Sequence, residues 1–441
     1  MVAPLGAEIR LPSILGDNMV LQQQSSVPIW GKAAPGRKIT VKASWGKYAS
    51  TTVAADSSWL IRLETPSSGG PYDVVLHGDG PVLTIHNVLI GEVWLCSGQS
   101  NMEMPMCGYP SQPVEGALDA IVFADPSVPI RLARIPRQSS SEPLWDCRVD
   151  GWRQNEAAAV AEAGATAYYF CKYLYEKLRV PIGLIMSSWG GTAIEPWLKG
   201  GEIHNAMIAP LCPYAVRGFI WYQGESNRPG NLPGKTPYSE LQADLVRALR
   251  SGFGDGSAAQ PFYYVQIAPY PYGDPEGLES AYMYEQQAAA LNLIPNSGMV
   301  VTNDIGSASV IHPSTKPEVG RRLALLALQR DYGLLKGLDL SYPFFKSMET
   351  EGNRATLTFA VGPGALAPLH QDIIGFEAAG EDRVFFPAKA RVNPDKRNTV
   401  ELSCEQVRHI AAVRYCFHNY QVGTLTNIFR LPACPFRTDN W

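Results

Sequence analysis

An α/β architecture is predicted for this chain: a mainly parallel sheet covered by helices, with a β-sandwich module on either side of it in sequence. Two changes of rhythm and the chain length predict it. Between about residues 89 and 335, short apolar runs alternate with helix-length amphipathic patterns, whereas before and after that stretch only short β-type runs separated by turn residues occur. At 441 residues the chain also exceeds what one ordinary core supports, so several domains are expected.

The first module covers residues 8–88. Met19-Val20-Leu21, Val27-Pro28-Ile29-Trp30-Gly31, Ile39-Thr40-Val41, Trp59-Leu60-Ile61-Arg62-Leu63 and Tyr72-Asp73-Val74-Val75-Leu76 read as strands, and Pro35-Gly36 and Ser67-Ser68-Gly69-Gly70-Pro71 as turns. The α/β domain, 89–335, has candidate strands at 90–96, 182–187, 217–222, 262–268 and 298–302. Its candidate helices are 157–178, 237–251, 279–292 and 317–331, the last with Pro317 where the first turn of a helix tolerates proline. After Gly333 the β rhythm returns in 355–359, 399–402 and 412–415, so residues 336–441 are expected to form a closing β module.

Composition narrows the function. A chain that is 46% hydrophobic and 18% charged folds rather than staying disordered. A net charge of −4 without any Lys/Arg-rich run excludes the electrostatic footprint of a nucleic-acid binder. No apolar stretch approaches the roughly 20 residues needed to span a bilayer. Met1-Val2-Ala3-Pro4-Leu5-Gly6 has neither a basic start nor an apolar core, so the protein is expected either in the cytosol or with a signal already removed. The eight cysteines are scattered, with no C-x-x-C and no H-E-x-x-H, so neither a metal nor another cofactor is expected.

The chemistry gathers at strand ends. The apolar run from Val88 to Cys96 leads into Ser97-Gly98-Gln99-Ser100-Asn101-Met102, and open α/β sheets place ligands at the carboxyl ends of their strands. Taken alone, a loop serine more often satisfies backbone groups; three further segments in equivalent positions make Ser100 a candidate nucleophile. Ser187-Ser188-Trp189-Gly190-Gly191-Thr192 offers backbone N–H groups that a ligand can approach closely. Trp221-Tyr222-Gln223-Gly224-Glu225-Ser226-Asn227 offers a side-chain amide, Gln223, as an oxyanion donor. Asn303-Asp304-Ile305-Gly306 and Val310-Ile311-His312-Pro313 offer an imidazole that can take the serine proton. No G-x-S-x-G elbow is present, which disfavours the α/β-hydrolase arrangement.

These segments resemble the sialate O-acetylesterase family within the SGNH-type hydrolases, through SGQSNME at 97–103, SSWGGT at 187–192, WYQGESN at 221–227 and IHP at 311–313. DNMVLQ at 17–22, PIGLI at 181–185, NAMIAPL at 205–211 and PFRTDNW at 435–441 extend the resemblance over essentially the whole chain. It implies an SGNH-hydrolase-like, flavodoxin-like parallel sheet, and a serine esterase that removes O-acetyl groups from carbohydrates such as acetylated sialic acid, xylan or xyloglucan. It carries over Ser100 as nucleophile, His312 as base, and the Ser100 N–H, a glycine of Gly190-Gly191 and Gln223 as oxyanion hole. It also implies a periplasmic or secreted location. In place of the Asp that relatives often have two or three residues before the histidine, this chain has Ser309 and Val310. The acid that orients His312 is therefore open between Glu225 as first choice, Asp304 as second, and a dyad oriented by a backbone carbonyl. The 197–205 stretch is also shorter than the resemblance implies. A carbohydrate-binding protein derived from an inactive esterase is the competing expectation.

Overall fold

The computed structural model describes residues 8–230, 236–254 and 260–441; the amino-terminal Met1–Gly6 segment lies outside them. In chain order, β1 (Val20–Gln22), β2 (Ser26–Lys32), β3 (Lys38–Ala43), β4 (Tyr48–Thr52), β5 (Ser58–Glu64) and β6 (Gly69–His77) precede the long strand β7 (Leu83–Gly98). Then come α1 (Ser100–Glu103), α2 (Ala117–Val122), β8 (Ile130–Arg134), β9 (Trp152–Gln154), α3 (Ala157–Glu162), α4 (Ala165–Leu178), β10 (Ile182–Ser188) and β11 (Gly218–Tyr222). They are followed by α5 (Tyr238–Phe253), β12 (Phe262–Val265), α6 (Glu279–Leu293), β13 (Ser297–Val300) and α7 (Lys316–Arg330). The expected helix at 157–178 is two helices, because the chain turns extended at Ala163 and Gly164.

The chain divides into two compact units, one of residues up to Tyr222 with Leu241–Tyr263 and Lys316–Ala324, the other of Gln223–Glu240, Tyr264–Thr315 and Leu325–Trp441. In the first unit, β10 lies parallel between β7 and β8, and β11 lies parallel on the other side of β7. The burial of every residue of β10 and β11 explains their continuous apolar sequence, as a parallel sheet covered on both faces requires. Phe170, Cys171 and Leu174 of α4 are fully buried, and Phe170 meets Trp94 of β7 edge to face at 5.0 Å. The boundary expected at 88/89 falls inside β7. Its first half pairs antiparallel with β6, and its second half joins the parallel sheet. β1 runs parallel to the middle of β7, and the Gln22 side chain accepts from the Val93 N–H at 2.9 Å. β8 escapes the sequence reading because Ile-Arg-Leu-Ala-Arg does not read as a buried run, yet Arg131 is 5% exposed.

The second unit contains α6, β13 and the carboxyl-terminal β elements. These are β14 (Phe344–Glu351), β15 (Arg354–Ala360), β16 (Leu366–Ala367), β17 (Phe376–Ala379), β18 (Phe385–Pro387), β19 (Lys389–Val392), β20 (Thr399–Ser403), β21 (Ala412–Tyr415), β22 (Thr426–Asn427) and β23 (Phe436–Arg437). Two four-stranded antiparallel sheets, β14-β15-β20-β19 and β18-β17-β21-β23, share one core that includes Leu357, Leu402, Phe376 and Val413. The expected strands at 355–359, 399–402 and 412–415 are β15, β20 and β21.

The chain end is fastened to this core. Arg414, in β21, donates two hydrogen bonds of 2.9 Å to Asp439 and lies 3.9 Å from the Phe385 ring centroid. Burial works to raise the Asp439 carboxyl, but the hydrogen bonds and charge of Arg414 outweigh it and hold the group below its ordinary value of 3.8. A depressed folded value contributes stability above the unfolded carboxylate range, and that contribution is lost as pH falls through the folded value. Asp439→Asn is expected to cost about 3 kcal/mol or more near neutral pH, because it leaves a buried guanidinium without its counter-charge. Denaturant unfolding of both proteins checks this, and the gap between them should close under acid conditions.

Candidate active site

The register of three parallel strands places the candidates of the first unit. Ser187 and Ser188 of β10 pair with Ser97 and Gly98 of β7, and Trp221 and Tyr222 of β11 pair with the same two residues. Three strands therefore end at one level, and the Ser100 and Gly190 segments leave that edge as neighbours. The chain enters the Gln223 segment directly after Tyr222. Gly98 has φ +139°, and a Cβ there would lie 2.2 Å from the Tyr222 carbonyl, so only glycine allows the two strand ends to approach. The Gln99 N–H donates to the Tyr222 carbonyl at 2.9 Å and the Trp189 N–H to the Gly98 carbonyl at 3.0 Å, fixing the turn that presents Ser100.

Gly190 packs directly on the serine. A Cβ added to it would sit 3.2 Å from Ser100 Cβ, 2.8 Å from Glu103 Oε2 and 3.5 Å from Arg137 Nη2. The Gly190 N–H, one of the two glycine N–H groups offered as oxyanion donors, donates to Glu103 Oε2 at 2.8 Å. The reason is local: α1 is one turn long and brings Glu103 back over the glycine loop. Gly191, the other glycine of the pair, has φ +77°. Arg137 holds Glu103 through Nε to Oε1 at 2.6 Å and Nη2 to Oε2 at 2.5 Å. Burial, and then the charge of Glu103, push the Tyr109 hydroxyl well above its ordinary value.

Asn101, next to the serine, is held from two sides. Lys316 Nζ, 1% exposed at the start of α7, donates to Asn101 Oδ1 at 2.5 Å, and Thr166 Oγ1 donates to the Asn101 carbonyl at 3.1 Å.

The second unit holds the remaining candidates. Gln223 is fully buried; its Oε1 accepts from the Tyr238 hydroxyl at 2.6 Å and its Nε2 donates to Asn227 Oδ1 at 2.8 Å. Glu225 is 5% exposed. Its backbone carbonyl accepts from Arg228 Nε at 3.2 Å, and Arg228 lies over the Tyr272 ring and bonds Glu279 at 3.1 Å. Burial first, and then the Glu225 charge, raise the Tyr272 hydroxyl above its ordinary value. His312 is half-buried in the loop after β13, whereas Asp304 in the same loop is exposed. Where an acid was sought before the histidine, the Ser309 and Val310 N–H groups both donate to Ser307 Oγ, a serine turn.

The structure brings together Ser100 and Gly190 in one unit, and Gln223 and Glu225 on one turn of the other. Glu103, Asn227, Tyr238, Arg137 and Lys316 were not singled out from sequence. Glu103 and Asn227 lie inside the quoted motifs, and the four-residue spacing of Gln223 and Asn227 is that of one helical turn. Arg137 comes from an irregular segment 34 positions after Glu103 and carries no local signal. No cluster of three or more His, Cys, Asp or Glu suited to a metal occurs among the described residues, and no helix there is long and apolar enough to cross a membrane.

Comparison with known proteins gives the arrangement its relatives. Residues 90–329 match the family model described as carbohydrate esterase, sialic acid-specific acetylesterase. A sialate O-acetylesterase of Mus musculus is 28% identical over 98% of this chain and 94% of its own length, and one of Homo sapiens is 30% identical over 80% and 76%. The crystal structure of a novel carbohydrate acetylesterase from Xanthomonas citri superposes with a TM-score of 0.89 at 34% identity, covering 98% of this chain and 100% of that one. The strand-end serine, the glycine loop packed on it and the buried glutamine turn all fall within the residues so matched, and the chain belongs to the carbohydrate esterase, sialic acid-specific acetylesterase family of carboxylic ester hydrolases.

Proposed function

We propose that the protein releases acetate from O-acetylated carbohydrates through an acyl-enzyme on Ser100, in an SGNH-type, flavodoxin-like domain. Ser100 Oγ attacks the acetyl carbonyl carbon while His312 takes its proton. The tetrahedral oxyanion is held by the N–H groups of Ser100 and Gly191 and by the Gln223 amide. It collapses to acetyl-Ser100 as His312 returns the proton to the departing sugar oxygen. Water then attacks the acyl-enzyme by the same route, giving acetate and free Ser100. Glu225 orients His312.

The observation that carries this reading is the packing of the Gly190 loop against Ser100, with Ser100 Cβ 3.2 Å from where a Gly190 Cβ would lie. Serine, close-approach backbone and strand edge are the ingredients of a nucleophile beside an oxyanion pocket. The orientation of the Gln223 amide by Tyr238 supports its donor role, since a preorganised donor needs no reorientation during reaction. Burial favours Glu225 over Asp304 as the orienting acid, because a carboxylate removed from water interacts more strongly with an imidazolium.

Acetate release from p-nitrophenyl acetate and from acetylated carbohydrates tests the reading. A folded protein inert toward all of them would overturn it and restore the binding-protein alternative. Gln223→Leu is expected to lower kcat by about 100- to 1,000-fold with KM little changed. A loss confined to KM would remove Gln223 from the oxyanion hole.

A further inference from the structure

Beside α1, and wholly within the first unit, lies a cavity of about 400 Å³ whose walls include Glu103, Tyr109, Arg134, Arg137, Glu162 and Met186. It is far larger than an acetyl group requires and falls in the size range of small-molecule sites. Its charges are settled internally. Arg137 is chelated by both oxygens of Glu103. Arg134 bonds Asp150 Oδ2 at 2.6 Å and lies 3.8 Å from Glu162, which also takes Arg153 at 2.8 Å. Each guanidinium on the wall thus has its carboxylate, and the two arginines named are matched by two glutamates.

We infer that this cavity receives an uncharged pyranose, so that neutral O-acetylated glycans are preferred over glycans bearing a carboxylate. The inference rests on the esterase reading above. A ligand carboxylate would have to displace Glu103 from a bidentate pair, the strong form of the arginine interaction, or lie beside Glu103 and Glu162 without a free cation. Displacing Glu103 would also release the Gly190 N–H that its Oε2 accepts, loosening the loop packed on Ser100. A neutral sugar avoids both costs: its hydroxyls can donate to carboxylate lone pairs and accept from guanidinium edges while the pairs stay intact. The resulting ranking departs from the sialic acid named in the family's description.

The test is a matched pair of substrates, acetylated methyl glucopyranoside and acetylated methyl glucopyranosiduronate, assayed for acetate release alongside p-nitrophenyl acetate. The glucoside is expected to show a kcat/KM at least about tenfold higher at low salt, with the ratio shrinking as salt screens the wall charges. Glu162→Gln, which removes one negative charge from the wall, should narrow the ratio several-fold. A glucuronide cleaved as well as or better than the glucoside overturns the inference and leaves the esterase reading standing. So does cleavage of p-nitrophenyl acetate with neither sugar ester touched. If p-nitrophenyl acetate and both sugars are inert, the esterase reading fails and this inference falls with it.

Discussion

Replacing Ser100 by alanine is expected to lower acetate release by about 10,000-fold or more while leaving thermal unfolding near that of the wild type. The large effect follows from the proposed covalent step: without Oγ there is no acyl-enzyme, and the residual rate is what the oxyanion donors and binding supply to attack by water. The small structural effect follows from the surroundings. The turn is held by Gln99, Trp189 and Asn101 contacts, none of which uses the serine hydroxyl. Steady-state kinetics with an acetylated sugar, together with a melting curve, checks both halves. Retained activity in a folded Ser100→Ala protein would remove the nucleophile from the proposal.

Glu225→Gln is expected to lower kcat by about a thousandfold or more, and Asp304→Asn by less than about tenfold. An amide in place of an orienting carboxylate cannot stabilise the imidazolium and can favour the wrong histidine tautomer. The burial of Glu225 underlies the size of this expectation, and Arg228, packed on Tyr272, holds its backbone carbonyl. Asp304 is exposed, and water would screen its charge. The pH dependence of kcat/KM gives an independent readout: with Glu225 neutralised, the histidine gives up its proton more readily, so the acid limb should move to lower pH. The reverse ranking of the two variants would move the role to Asp304. Equally small effects would favour a dyad oriented by a backbone carbonyl.

Much of this architecture was legible because its signals are local. Five of the seven strands of the α/β stretch were legible because burial leaves nearly unbroken apolar runs, as in Ile182–Ser188. Helices such as Tyr238–Phe253 showed their amphipathic period. β4 was missed because Tyr-Ala-Ser-Thr-Thr is exposed at alternate positions and carries no apolar residue beyond its tyrosine and alanine. β8 was missed because its buried arginine looks like a surface residue in sequence. The site's chemistry was legible where motif residues touch the reaction in the proposed scheme. The shell around it was not: Lys316 meets Asn101 across 215 positions, and Arg137 meets Glu103 across 34, and such pairings are products of the folded topology. The Gly190 N–H shows the same limit. Sequence suggested a glycine loop with donors to spare, but not that one donor would be taken by a carboxylate a turn beyond the serine.

The sixteen-residue span of β7 gives the amino-terminal module a role beyond that of an accessory. At roughly 3.3 Å per residue the strand is a spar about 50 Å long, gripped at one end by the antiparallel sheet and carrying the Ser100 turn at the other. β1 and Gln22 clasp it midway. The serine's position is therefore surveyed from the far end of the molecule's first sheet. Shortening the protein to residues 89–335 would cut through this strand and remove the half of it that the antiparallel sheet holds.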